Sequence, residues 1–436
     1  MYCSQRAGFS ITCQQSSQLI LKGAIYGERP SAIAETATFL WSLPQTEATV
    51  LRISCNEDCN CVASAFKGEQ LARILDSNPT RRLKIQTRTW TSEQSVILAT
   101  RPYPLNLHLL ARTCDGFRFE DEGAAFVKAL EMRSSSFGDL NIQCQSDGSP
   151  FHRDTLQRLL QLENKIEKLT LCALDEESVF LPFSAKVEEL DYGMDEACFR
   201  PEYFDGLSIA PKRLHLRILF NQGTDWTTTA TALLKRFAEL GHFEKLGLSI
   251  LQRGLHRRWD ILETAGSAKT ALMAEALVRA IEANPNLSCL DLRGTPFPYD
   301  WYPYLQNVFE AMEKHKSLRQ FFIDRYPKKE DPHYLWLERL LLRNRCITVL
   351  DRKNRKPSNG SSIEKLYALN SIYRGSISLI RVLRMLRSLL VAAALTEGAS
   401  TNFQYTALLL SHHTDMLYEL LHYVDESLEV TKHINL

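Results

Sequence analysis

Leu287-Ser-Cys-Leu-Asp-Leu-Arg-Gly-Thr-Pro-Phe297 sets apolar side chains at Leu287, Leu290, Leu292 and Phe297. Two spacers and then one spacer separate the first three. Alternation through Leu290-Asp291-Leu292 is that of a short strand whose every second side chain faces one side. Upstream, Ala268–Ala283 carries helical periodicity, which Asn284-Pro285-Asn286 interrupts. Helix, breaker and strand make one unit, and its recurrence decides the fold.

The same spacing recurs along the chain. Towards the N-terminus it gives Ala48/Leu51/Ile53, Thr80/Leu83/Ile85, Pro104/Leu107/Leu109, Phe137/Leu140/Ile142 and Ile166/Leu169/Leu171. It continues as Val187/Leu190/Tyr192, Pro211/Leu214/Leu216 and Phe243/Leu246/Leu248. After the quoted stretch come Leu318/Phe321/Ile323 and a degraded copy, Ile347/Leu350/Arg352. From Leu51 to Leu350 the ten intervals average about 30 residues, at the long end of the roughly 20–29 expected of leucine-rich repeats. They range from 21 (Leu169 to Leu190) to 44 (Leu246 to Leu290), the longest holding the polar insertion Gln252–Arg258. Between the strands, periodicity predicts helices over Ser31–Leu43, Val62–Leu75, Asp121–Met132, Asp154–Leu162, Trp226–Leu240, Ala268–Ile281, Tyr302–Met312 and Tyr334–Leu342. Strands alternating with helices at this interval specify a parallel α/β array.

On these residues the stretch from about Arg29 to Lys356 resembles the ribonuclease-inhibitor-like leucine-rich repeats, whose units each carry a full helix. The resemblance implies an irregular α/β solenoid, with parallel strands lining a concave face and helices outside. The asparagine such repeats place three residues after the second strand leucine is Asn56 in the first copy but Thr295, Asp195 or Gln145 in others. Beyond Lys356, Pro357–Ser362 reads as a linker, followed by helical patterns at Ile363–Tyr373, Ile377–Glu397 and Phe403–Asp425. Leu369–Ser376, Ala394–Glu397 and Phe403–Asp415 resemble the C-terminal segment of leucine-rich-repeat-like proteins of microalgae, which carry no known activity. Residues 363–436 are therefore expected to form an α-helical cap over the apolar end of the array. Residues 1–28 are expected as an N-terminal leader and 29–356 as the solenoid.

A net charge of +1 excludes any global attraction to nucleic acid or acidic lipid. Eleven cysteines, an odd number scattered mostly singly, read as reduced thiols of an intracellular protein, cytoplasmic or nuclear. Met1–Phe9 lacks the charged start and apolar run of a secretory signal, and the longest apolar run is far short of a membrane span.

Candidate chemistry is sparse. Cys55-Asn-Glu-Asp-Cys-Asn-Cys61 crowds three thiols on one loop without the second pair a zinc site needs. His412, Asp415, Glu419 and His422 share one helix face, which serves equally as a solvated face. Gly266-Ser-Ala-Lys-Thr270 lacks the earlier glycine and the preceding strand of a phosphate-binding loop. No nucleophile elbow or dinucleotide fingerprint is present. The expectation is no enzyme, no cofactor and no metal.

What the register offers is a surface. Residues flanking each central leucine point away from the core. They include Arg52, Lys84, His108, Asn141, Thr170, Asp191, Arg213, His215, Arg217, Lys245, Asp291, Arg293, Phe322 and Asp324. Such a mixed-charge sheet face suits recognition of a protein partner, with Arg213, His215, Arg217, Lys245 and Arg293 as a seat for an acidic one. The alternative uses the basic residues of Arg339–Arg387 on RNA or an anionic membrane surface.

Overall fold

The computed structural model describes residues 7–14, 20–27, 29–42, 50–54, 66–79, 82–86, 89–111, 117–144, 149–221, 224–252, 267–294 and 302–379, with 391–392, 395, 403–411, 413–416, 418 and 422. The chain forms two compact units. The first is Met1–Glu263 with Gly294–Pro296, the second Thr264–Arg293 with Phe297–Leu436.

In the first unit a parallel sheet takes its strands in chain order: β3 (Val50–Ser54), β4 (Arg82–Gln86), β6 (Leu105–Ala111), β8 (Gly138–Cys144), β9 (Ile166–Leu171), β10 (Glu189–Asp195), β11 (Arg213–Phe220) and β12 (Lys245–Gln252). Each neighbouring pair is separated in sequence by a crossover, as parallel pairing requires. Helices α1 (Pro30–Trp41), α2 (Gly68–Asp76), α3 (Ser92–Ala99), α4 (Ala124–Glu131) and α5 (Arg153–Leu160) each pack on the next. The strands bury alternate residues beneath them. In β11, Leu214, Leu216, Ile218 and Phe220 are buried, while Arg213, His215, Arg217 and Leu219 are half-exposed. A short parallel pair, β5 (Thr89–Trp90) with β7 (Arg118–Phe119), anchors an aromatic cluster of Trp90, Phe117, Phe119, Phe126, Phe137 and Phe151 with edge-on and tilted contacts.

The expected register holds at most copies, because both predicted core residues of each strand are buried from Leu83/Ile85 to Phe321/Ile323. Four corrections follow from the side chains and backbone. Pro104 is exposed and Leu105 takes the inward place, since a proline ahead of the strand has no N–H to give to the sheet. In the last copy Val349, not Leu350, is the inward residue, because β15 (Thr348–Leu350) aligns Phe321 with Val349. Residues expected as a leader form an antiparallel hairpin, β1 (Ala7–Gln14) with β2 (Ile20–Gly27). Its Ile20-Leu-Lys-Gly-Ala-Ile-Tyr26 run is rich in strand formers. Finally, the expected break after Tyr373 is absent: α10 (Ser362–Leu379) runs through Gly375, and Ser378 Oγ bonds back to Arg374 O. A mid-helix glycine costs only about 1 kcal/mol, which flanking contacts absorb.

Crossovers without a regular helix were not foreseen. Between β9 and β10, and between β10 and β11, the chain makes short 3-10 turns, including Leu181–Ser184 and Pro201–Phe204, which bury Phe183 and Phe204. Helix α6 (Trp226–Leu240) returns to the longer form. It closes on Gly241 at φ 63, whose N–H reaches Phe237 O at 3.2 Å, a left-handed cap that favours glycine.

The second unit repeats helix, breaker, strand: α7 (Ser267–Ala283) to β13 (Cys289–Asp291), α8 (Tyr302–Glu313) to β14 (Gln320–Phe322), and α9 (Leu335–Arg343) to β15. A polar residue clamps each helix end three positions before the first inward apolar residue. Asn284 Nδ2 donates to Ala280 O (2.7 Å). His315 Nε2 bonds Asn284 O (3.0 Å), and its Nδ1 accepts from Leu318 N (3.1 Å). Asn344 Nδ2 donates to Met312 O and His315 O (both 3.0 Å). These side chains, buried at Asn284 and Asn344 and half-buried at His315, satisfy the carbonyls a helix end leaves open. Helix α10 lies against the last strand: Tyr367 Oη donates to Val349 O (3.3 Å), Asn370 Nδ2 to Leu341 O (2.8 Å), and Ile363 is fully buried. No helix of the described residues is long and apolar enough to cross a membrane.

Candidate functional site: the outward face of the parallel strands

Parallel pairing, shifted by one residue only between Gly138 and Asp139 of β8, sets the outward residues level across the first unit. Arg52 pairs with Lys84, Lys84 with His108, His108 with Asn141, Asn141 with Thr170, Thr170 with Asp191, Asp191 with His215 and His215 with Gly247. The backbone of Arg52 is in this row, while its side chain lies outside the described residues. Lys84, His108, Asn141, Asp191 and His215 are half-exposed, but Thr170 is buried at 5% and offers little contact surface.

The expected basic seat is internally compensated. Arg213 Nε lies 3.3 Å from Glu244 Oε2 and its Nη1 3.7 Å from Glu188 Oε2. Lys245 Nζ stands 3.6 Å from Glu189 Oε2, and Lys168 pairs with the same carboxylate. Arg217 Nε reaches Asp191 Oδ1 at 2.8 Å. Four cations thus meet four carboxylates, an alternating ladder rather than a positive field. For Glu189 and Asp191, burial pushes the carboxyls up. The pairings with Lys168 and with His215 and Arg217 outweigh it and hold both below the usual carboxylate range.

At the centre, His215 Nδ1 lies 3.3 Å from Asp191 Oδ1 and its Nε2 3.1 Å from Ser249 Oγ. Gly247 makes room for this ring: a Cβ there would sit 2.1 Å from His215 Cδ2. Aspartate, histidine and serine in this order are the parts of a hydrolytic relay. Here Arg217 shares the aspartate oxygen that orients the imidazole, and Ser249 is only 8% exposed. The trio is a positioned hydrogen-bond chain that locks three strands' side chains together. Glu189 was legible as an outward strand residue, but Ser249 was not singled out by sequence. Gly247, the one glycine in an otherwise side-chain-bearing row, was the legible signal.

Further along β6, His108 is held neutral. Burial and the nearby Arg82 and Lys84 lower it to about 4. Asn106 Nδ2 donates to Asp139 Oδ2 at 3.2 Å, and burial raises the Asp139 carboxyl.

In the second unit Asp291 pairs with Phe322 across the sheet. Arg293 forks onto Asp291 through Nε at 2.9 and 3.1 Å and donates from Nη1 to Asn354 Oδ1 at 2.8 Å. Its guanidinium lies 4.2 Å over the Phe322 ring, so this aromatic is half-covered by its own neighbour. Asp324 is half-exposed beyond it.

Much of the basic stretch expected to serve RNA or lipid is likewise engaged. Arg339 bonds Glu310 and Glu313, Arg343 bonds Glu313, and Arg345 lies over Tyr373. Arg381, Arg384 and Arg387, the Cys55–Cys61 cluster, His412 and Glu419 lie outside the described residues. Among the described residues no three His, Cys, Asp or Glu side chains gather as a metal site would need.

No protein-family model matches the chain. Nor does any curated protein.

Proposed function

We propose that the chain is a non-catalytic protein-binding scaffold of leucine-rich-repeat type. In this reading it is an irregular solenoid whose outward strand row is the concave contact face, with residues 363–436 capping its C-terminal end. The observation that carries the reading is the level row from Lys84 to His215: polar, half-exposed except at Thr170, and fixed at its Asp191–His215 end by side-chain hydrogen bonds between strands. Pre-ordered side chains lose little entropy on binding, which favours recognition over a wide area. The alternating charges select a partner with a complementary alternation, acidic where Lys84 and Lys245 stand. An intracellular setting fits the scattered cysteines, of which Cys172, Cys198, Cys289 and Cys346 are unbridged.

The test is an affinity pulldown from a native extract, followed by direct titration of the recovered partner. Lys84→Glu/Lys245→Glu is expected to abolish recovery, while Arg158→Glu on helix α5 leaves it intact. Undiminished affinity of the first variant, with its thermal unfolding unchanged, would remove the strand face as the contact site.

A further inference from the structure

We infer that two loops of the second unit form a binding cavity for a small polyphosphate, a molecule carrying two or more phosphate groups on one scaffold. The loops follow β14 and β15 and bracket a cavity of about 670 Å³. Arg325, Lys328, Lys329, Arg355 and Lys356 line it, against Glu330 and Asp351 alone among acids. Five cations to two carboxylates is a strong local excess in a chain whose net charge is +1. Elsewhere the described cations of the strand ladder are matched one for one by acids.

What distinguishes these cations is how they are held. Lys328 Nζ lies 5.7 Å over the Tyr334 ring and Lys356 Nζ 5.1 Å over Tyr367. An aromatic face positions an ammonium without neutralising it, so its charge remains for an anion. Arg355 gives Nε and Nη2 to Asp351 (3.0 and 2.9 Å), leaving Nη1 outside that fork. Arg325, Lys328, Lys329, Arg355 and Lys356 are all exposed at the rim.

Both loops are also rigid. Tyr326 and Tyr334 stack at 4.7 Å and 5°. Asp331 is buried, accepting from Tyr326 Oη and from the N–H groups of Leu335 (2.7 Å) and Trp336 (2.9 Å). Tyr334 is held at φ 60, a conformation an aromatic residue adopts only under such constraint. In the second loop Asp351 accepts from the N–H groups of Lys353 and Arg355, both at 2.8 Å, and Asn354 takes the left-handed turn at φ 58. A concave site whose loops are held by internal hydrogen bonds and which is lined by several cations fits clustered phosphates, because each phosphate accepts several charge-assisted bonds.

The full chain is titrated by calorimetry with inositol hexakisphosphate, with pyrophosphate, and with phosphatidylcholine vesicles with or without phosphatidylinositol 4,5-bisphosphate. Saturable one-to-one binding of a soluble polyphosphate, or of the phosphoinositide vesicles alone, supports the site and tells the soluble source from the lipid one. Lys328→Gln/Lys329→Gln/Lys356→Gln is expected to weaken binding about 100-fold or more, since each removes a charge-assisted contact. Glu330→Gln tightens it several-fold. Arg118→Gln/Lys186→Gln/Arg200→Gln, which removes equal charge from the first unit, changes it less than about twofold. Absence of saturable binding at low salt overturns the proposal, as does equal weakening by the control variant or binding of long RNA only.

Discussion

His108 shows how a single position is governed by its neighbours across the sheet. Its folded form titrates near 4, below the ordinary 6.5, because burial and then Arg82 and Lys84 disfavour the imidazolium. As pH falls below about 6.5 the unfolded chain takes the proton first, so the equilibrium shifts towards unfolding until the folded protein also protonates near 4. Stability is therefore full above 6.5 and declines between 6.5 and 4. Urea midpoints recorded through that window are expected to fall more steeply for the wild type than for His108→Gln; parallel pH profiles would refute the assignment. Sequence placed His108 on the outward row correctly, because alternation alone fixes which way a strand residue points. It could not show the neutral imidazole, which depends on burial and then on the Arg82 and Lys84 heads brought alongside by register. The hydrogen bonds of His215 were equally hidden in the sequence. Its partners Asp191 and Ser249 are 24 and 34 residues away, and only strand pairing makes them neighbours.

Helices and strands were legible to different degrees. Trp226–Leu240 begins and ends where periodicity put it, with Asp225 capping Thr227 N and glycine at the far end. Ser92–Ala99 was passed over because it is only eight residues long and its apolar Val96, Ile97 and Leu98 are consecutive, a run that reads as strand as easily as helix. The 3-10 crossovers around Phe183 and Phe204 have no period to detect; their proline-led turns and buried aromatics are tertiary facts. The helix-end clamps of the second unit were half visible, since Asn284 was read as a breaker but not as a buried donor. Asn344 carries the larger consequence. Its amide serves two carbonyls, and its Oδ1 accepts from Cys346 N at 3.2 Å. Asn344→Ala strands all three groups and is expected to cost about 2–3 kcal/mol. The exposed Gln306→Ala, on the solvent side of α8, should stay within about 0.5 kcal/mol. Denaturant titration reads both; a cost for Asn344→Ala no greater than for Gln306→Ala would show the clamp to be incidental.

At the scale of the whole chain, the one-repeat-per-thirty-residues pattern was enough to specify parallel strands in chain order within each compact unit. The C-terminal segment follows from the same logic. Helix α10 supplies Ile363, Tyr367 and Asn370 to β15 and α9, and Met416 and Val391 are buried beyond it. A chain ending at Lys356 bares Ile347, Val349 and Leu341, all fully buried otherwise. Such a truncation is expected to elute as aggregate on size exclusion and to unfold at a lower temperature. A monodisperse product with unchanged unfolding would deny residues 363–436 a capping role.

One feature of the strand ladder bears on tempo. Because Lys168, Arg213, Arg217 and Lys245 spend their charge on Glu188, Glu189, Asp191 and Glu244, little field extends beyond the surface to draw a partner in. For the proposed scaffold, encounters on that face would proceed at the unsteered pace of roughly 10⁵–10⁶ M⁻¹s⁻¹, indifferent to salt. Selectivity must reside in dwell time: a matched partner is one that lingers, and a mismatched one arrives as often but leaves sooner.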